Sequence, residues 1–146
     1  MKNNLDRFIE AQKHIYNQAL QEIKNGKKES HWIWYIFPQI KGLGHSERAN
    51  YYAIENIEEA INYINNPLLR ERLIEISNAL LSVEGKTAIE ILGCVDAMKV
   101  KSSMTLFHIV CPEEKTYIEV LNKYYEGEKD ERTIQLLQKN YQYQKR

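Results

Sequence analysis

Leu69, Leu73, Ile76 and Leu80 recur at three- and four-residue intervals behind the pair Asn66-Pro67. That spacing lines one side of an α-helix, and the pair supplies a cap followed by a first-turn proline, whose missing N–H would have no helical partner there. Leu81 and Val83 widen the stripe, and Gly85 stops it. The same period runs along nearly the whole chain. Leu5, Phe8, Ile9, Gln12, Tyr16, Ala19, Leu20 and Ile23 predict a first helix from about Leu5 to Asn25, capped by Asn4 and stopped at Gly26. Ser46 opens a short helix to about Ile54, Asn56 another to Asn65, and Thr87 a further turn or two ending at Gly93. Ala97, Val100, Met104 and Phe107 mark a core-facing helix over Asp96 to Val110. Tyr117, Val120, Leu121 and Tyr124 mark one from Glu113 to Tyr125, broken at Gly127. Asp130 caps a last helix through Thr133, Ile134, Leu137 and Gln138, and the tail from Asn140 is expected to fray. The prediction is a single all-α domain, residues 1–146, of seven to nine mostly short helices.

One stretch departs from this plain pattern. Ser30 to Ser46 holds both tryptophans, with His31, Gln39 and His45 interleaved among large aromatics and a Gly42-x-Gly44 turn behind them. By propensity Trp32 to Phe37 favours a strand. No second convincing strand exists to pair with it, so a short buried helix capped by Ser30 and ended before Pro38 is the better reading. The two glycines predict a tight loop in which backbone comes close to something.

The totals exclude several classes. A chain of 146 residues, 43% apolar and 27% charged, can bury a core without disulfides. Twenty basic and twenty acidic residues cancel, so no global field draws in a nucleic acid duplex or an anionic membrane. The longest apolar run, Trp32 to Pro38, is too short to span a bilayer, and the opening residues carry no hydrophobic signal region. A cytoplasmic location is expected. Cys94 and Cys111 are the only cysteines and read as small hydrophobes, without a disulfide between them. His108 lies near Cys111, but a helix C-terminus disfavours a thiolate. The four histidines lack metal-ligand spacing, so no metal or other cofactor is expected.

Three blocks carry a family resemblance. Ser30-His-Trp-x-Trp-x-x-Phe-Pro-Gln-x-x-Gly-Leu-Gly, Lys101-Ser-Ser-Met-Thr-Leu-Phe and Gly127-x-x-Asp130-x-x-Thr133 resemble the signature blocks of the DUF1810 family. The match extends from the Leu5-Asp-Arg-Phe opening to the last helix. It implies a bacterial, mostly α-helical protein and carries no reaction with it.

The residues themselves suggest two readings. In the first, a small-molecule site takes an anionic nucleotide or ADP-ribose-like ligand, with hydrolysis at a glycosidic bond as the reaction it would serve. Trp34 would be the stacking platform, Gln39 the reader of a ring edge, and Lys101 with Ser103 the anion contact. His31 would transfer protons, with Asp130 as an alternative carboxylate. Gly42-x-Gly44 lacks the third glycine and preceding strand of a dinucleotide fingerprint, and Lys101-Ser102-Ser103 lacks the Ser-x-x-Lys order of a nucleophilic dyad. In the second reading the chain is a non-enzymatic interaction module. Its tryptophans are then core, Gln39 ties down a loop, His31 is a packing residue, and Lys101 is a surface charge beside serines that cross-link helices. The two readings part on geometry: a site requires Trp34, Gln39 and Lys101 to line one concavity.

Overall fold

The computed structural model describes the backbone of residues 4–145 and the side chains of residues 4–140. Ten helices occur among the described residues: α1 (Asp6–Lys13), α2 (Tyr16–Lys24), α3 (Ile33–Ile36), α4 (Glu47–Tyr51), α5 (Ile57–Asn65), α6 (Pro67–Ser82), α7 (Ala88–Leu92), α8 (Cys94–Val110), α9 (Thr116–Tyr125) and α10 (Glu131–Lys145). The count exceeds the predicted seven to nine because the first predicted helix is two. His14 and Ile15 leave helical register, and the Gln12 amide turns inward. Its nitrogen donates to the Tyr35 carbonyl at 2.7 Å and to the Tyr63 hydroxyl at 3.3 Å, while its oxygen accepts from Arg72 at 3.3 Å. A buried amide must find partners. Those partners lie on other elements, and the chain bends at this point, freeing α2 to pack along α6.

The caps explain the remaining boundaries. Ser46, Asn56, Asn66 and Thr87 each accept from a backbone N–H one turn into the helix that follows. Gly26, at φ 77°, ends α2: its own N–H reaches the Ile23 carbonyl and the Lys27 N–H reaches that of Glu22. Asn4 and Ser30 do not cap. Leu5 and Trp32 occupy those positions without a side-chain bond, because Ser30 is tied elsewhere. The segment expected to begin at Glu113 turns helical only at Thr116, since Glu114 first accepts from the Thr116 hydroxyl at 2.7 Å. The last helix runs on to Lys145, past the Asn140 where fraying is expected; the side chains from residue 141 and all of residues 1–3 lie outside the described part.

At the centre is α8. It packs against α3, α5, α7, α9 and α10, and its residues from Ser102 through Phe107 are all buried. A helix buried on every side belongs in the middle of a globule. Phe107 stands between Tyr63 and Tyr117, with ring centroids 5.2 and 6.1 Å away, and Phe8 meets Tyr63 edge-on at 5.2 Å. Beside α3 the chain pairs as extended backbone at one point only, the parallel bridge Ile40–Ile54, where Lys41 N–H reaches the Ile54 carbonyl and Ile54 N–H that of Gln39. Among the described residues no helix is long and apolar enough to cross a membrane.

Candidate functional site

The aromatic block begins with an anchor. Glu22 of α2 accepts from the Glu29 and Ser30 N–H groups, the Ser30 hydroxyl, the Gln18 amide and the Trp32 indole, at 2.7 to 3.0 Å. Partial burial pushes its carboxyl up. The donors, led by the Ser30 hydroxyl, outweigh that and hold its pKa at about 2. With the entry fixed, α3 sends Trp32, Ile33 and Ile36 into the core and leaves Trp34 half-buried. Trp32 is therefore plain core, with the Lys28 ammonium 4.9 Å from its ring centroid. Lys28 in turn pairs with Asp96 at 2.8 Å.

Trp34 has different surroundings. The Arg48 guanidinium of α4 is 5.0 Å from its ring centroid and the Lys99 ammonium of α8 is 5.1 Å away. Cations over an indole face are attracted by the ring quadrupole. Its Nε1 is buried and has no hydrogen-bond partner among the described residues. Trp34 and Gln39 line one crevice together with Ile40, Gly44, Ala49, Tyr52 and Ala53, enclosing about 10 Å³, room for a single water at most. Alongside runs an open groove of about 640 Å³, lined by Glu47, Arg48, Asn50, Tyr51 and Tyr52. Tyr51 is 58% exposed, and its ring meets Tyr52 edge-on at 4.8 Å. Arg48 and Tyr52 thus connect the tryptophan to an aromatic groove open to solvent.

The glycine loop serves the chain itself. A Cβ on Gly44 would come within 2.5 Å of the Ala49 Cβ, and one on Gly42 within 3.2 Å of Leu136. Gly42 also has φ +110° and offers its carbonyl to Arg132 at 3.2 Å. The close approach expected of these glycines is therefore to α4 and α10.

Of the remaining predicted site residues, none joins the Trp34 crevice. Lys101 lies two residues beyond Lys99, about 200° around the helix, and pairs with Glu128 at 3.1 Å. Ser103 is wholly buried, its hydroxyl unpartnered among the described residues; it stands one turn beyond Lys99 on the same side of α8. Asp130 takes the expected cap: its Oδ2 accepts from the Thr133 N–H at 3.0 Å and the Thr133 hydroxyl at 2.5 Å, while its N–H donates to the Thr105 hydroxyl at 2.9 Å. His31 is exposed on the turn before α3. Lys99, two residues before the lysine-serine block, reaches the aromatic block, and the lysine-serine block itself meets the Gly127–Thr133 block through Lys101 and Thr105. Sequence reasoning missed Lys99 and Arg48. A helix apolar on all sides offers no stripe that says which lysine faces α3, and α4 is too short to show a face.

Cys94 is exposed, Cys111 is buried, and both are free. Burial pushes the Cys111 thiol up, with Glu113 adding to it. His108, its Nδ1 buried and unpartnered, is held below the ordinary range by burial and by Lys129 and Lys115. Among the described residues no cluster of three histidine, cysteine or acidic side chains could hold a metal ion.

The chain is similar to known proteins along most of its length. No curated protein matches it. A solved structure does, the crystal structure of the conserved hypothetical protein Rv1873 from Mycobacterium tuberculosis, at 40% identity and a TM-score of 0.91, covering 92% of this chain and 96% of that one. The model of the family described as "Protein of unknown function (DUF1810)" matches residues 2–137, and the chain belongs to that family.

Proposed function

We propose that the chain binds an anionic ligand bearing a planar ring, of the nucleotide or ADP-ribose-like kind, in the groove beside Trp34. One observation carries this: a half-buried tryptophan held between an arginine and a lysine at the edge of an open, tyrosine-lined groove. The ring stacks on Tyr51 or the exposed part of Trp34, and Arg48 with Lys99 holds the phosphate. Gln39 lines the crevice beneath the platform, where the indole Nε1 has no partner among the described residues. The groove is open to solvent along its length, whereas the crevice under it admits no ring. The proposal is of binding. Asp130 commits Oδ2 to the α10 cap, and the carboxylate that lines the groove is Glu47.

Titrating ADP-ribose or AMP into the protein should quench the fluorescence of Trp34. Lys99→Ala and Arg48→Ala should each weaken binding by roughly 1.5–3 kcal/mol, the size of a charge-assisted hydrogen bond, and Lys101→Ala should leave it unchanged. Absence of quenching with every nucleotide tried, or an equal loss in the Lys101 variant, ends this reading. The interaction-module reading draws on a different feature: Ile89, Val95 and Met98 are 57, 66 and 70% exposed around the α7–α8 corner. It gains if Met98→Glu abolishes an association that Lys99→Ala leaves intact.

A further inference from the structure

A second cavity, of about 450 Å³, opens at the other end of α8, roughly 16 Å along the helix from Lys99. The last turns of α5 and α8 supply its apolar wall, Ile61, Ile64 and Val110; Arg70, from the first turn of α6, and Glu113, after α8, supply charge. Both charged side chains belong to exposed residues, and neither enters an ion pair among the described residues. Opposite charges that line one cavity without pairing keep their charge for a ligand, with Glu113 bonded only to the neutral Cys111 thiol beside it. Glu114 also lines it, but spends its Oε2 on Thr116.

Cys111 lines the cavity as well, and burial holds its thiol above the ordinary range, so it is a neutral donor rather than a nucleophile. The last residues of α5 and α8, Asn65 and Val110, line the same end, and a helix C-terminus favours positive charge on a ligand.

We propose that this cavity binds a small zwitterion with an apolar side chain, a free amino acid of the leucine type. Its carboxylate sits on Arg70, its ammonium on Glu113 and the helix C-termini, and its side chain lies against Ile61, Ile64 and Val110. The site is separate from the Trp34 groove and stands without it.

Calorimetry at low ionic strength tests this with the apolar amino acids, and with leucine cut down to one charge at a time, isopentylamine and 4-methylpentanoate. Leucine or another apolar amino acid should bind about tenfold or more tighter than either single-ended analogue. Arg70→Gln should cost the zwitterion and the acid about tenfold and spare the amine; Glu113→Gln should cost the zwitterion and the amine about tenfold and spare the acid. Both positions are exposed, so both variants should keep the parent melting temperature. The proposal is overturned if no apolar amino acid gives heat, if the single-ended analogues bind equally well, or if the two charge variants leave affinity unaltered.

Discussion

Arg7 shows how much a single side chain can organise. Its guanidinium, 4% exposed, forms a two-pronged pair with Glu59 at 2.8 and 3.2 Å and donates to the Tyr51 and Ala53 carbonyls at 2.8 and 2.7 Å. Glu59 also accepts from the Glu55 N–H at 2.9 Å. One ion pair thus fixes the turn from α4 into α5, and with it the approach of Arg48 to Trp34. Removing one partner of such a pair leaves a buried charge alone, so Glu59→Gln should cost about 3–5 kcal/mol in urea unfolding. An unchanged midpoint would mean that water already reaches the guanidinium. Glu22 yields a prediction in pH. Its folded pKa of about 2 lies below the ordinary carboxylate value, so its contribution to stability is complete above that value and is lost as pH falls through about 2. Glu22→Gln should therefore flatten the acid limb of stability between roughly pH 4.5 and 2. If the variant keeps the full slope, other carboxylates carry it.

Among the elements, short-range chemistry was legible in the sequence and long-range geometry was not. Ser46, Asn56, Asn66 and Asp130 read as caps and are caps, because a cap bonds within one turn. The division between α1 and α2 was not legible, since it follows from partners that Gln12 finds on α3, α5 and α6. Trp34 and Gln39 were legible as one neighbourhood because a few residues of chain join them. The sequence suggests Lys101, with its neighbouring hydroxyls, as the cation beside them, whereas the ammonium that stands over Trp34 is that of Lys99, two residues earlier on α8. Gly44 tests the packing of α4 directly. Its added Cβ would stand 2.5 Å from that of Ala49, so Gly44→Ala must push α4 and Arg48 away from Trp34. Overpacking of this kind costs about 1–3 kcal/mol, and the Trp34 emission should shift as the cation withdraws. A variant with parent stability and emission would show that the loop yields instead of α4.

On the scale of the whole molecule, the burial of α8 from Ser102 to Phe107 determines how the fold fails. Its partners α3, α5, α7, α9 and α10 span the chain from the aromatic block to the last helix, so each of them loses buried surface once α8 is lost. Phe107 is the point where this coupling is densest, stacked between Tyr63 and Tyr117 and fully buried. Phe107→Ala should cost about 3–5 kcal/mol, the transfer of a large ring plus the cavity it leaves. The loss should also be global. Trp32 and Trp34 report on α3, far circular dichroism reports on every helix, and the two midpoints should fall together in urea for parent and variant alike. Lowered but coincident midpoints are the expected result. A tryptophan transition that separates from the helical one would mean that α3 and its groove unfold apart from α8, and the Trp34 site would then rest on a locally stable element instead of on the central helix.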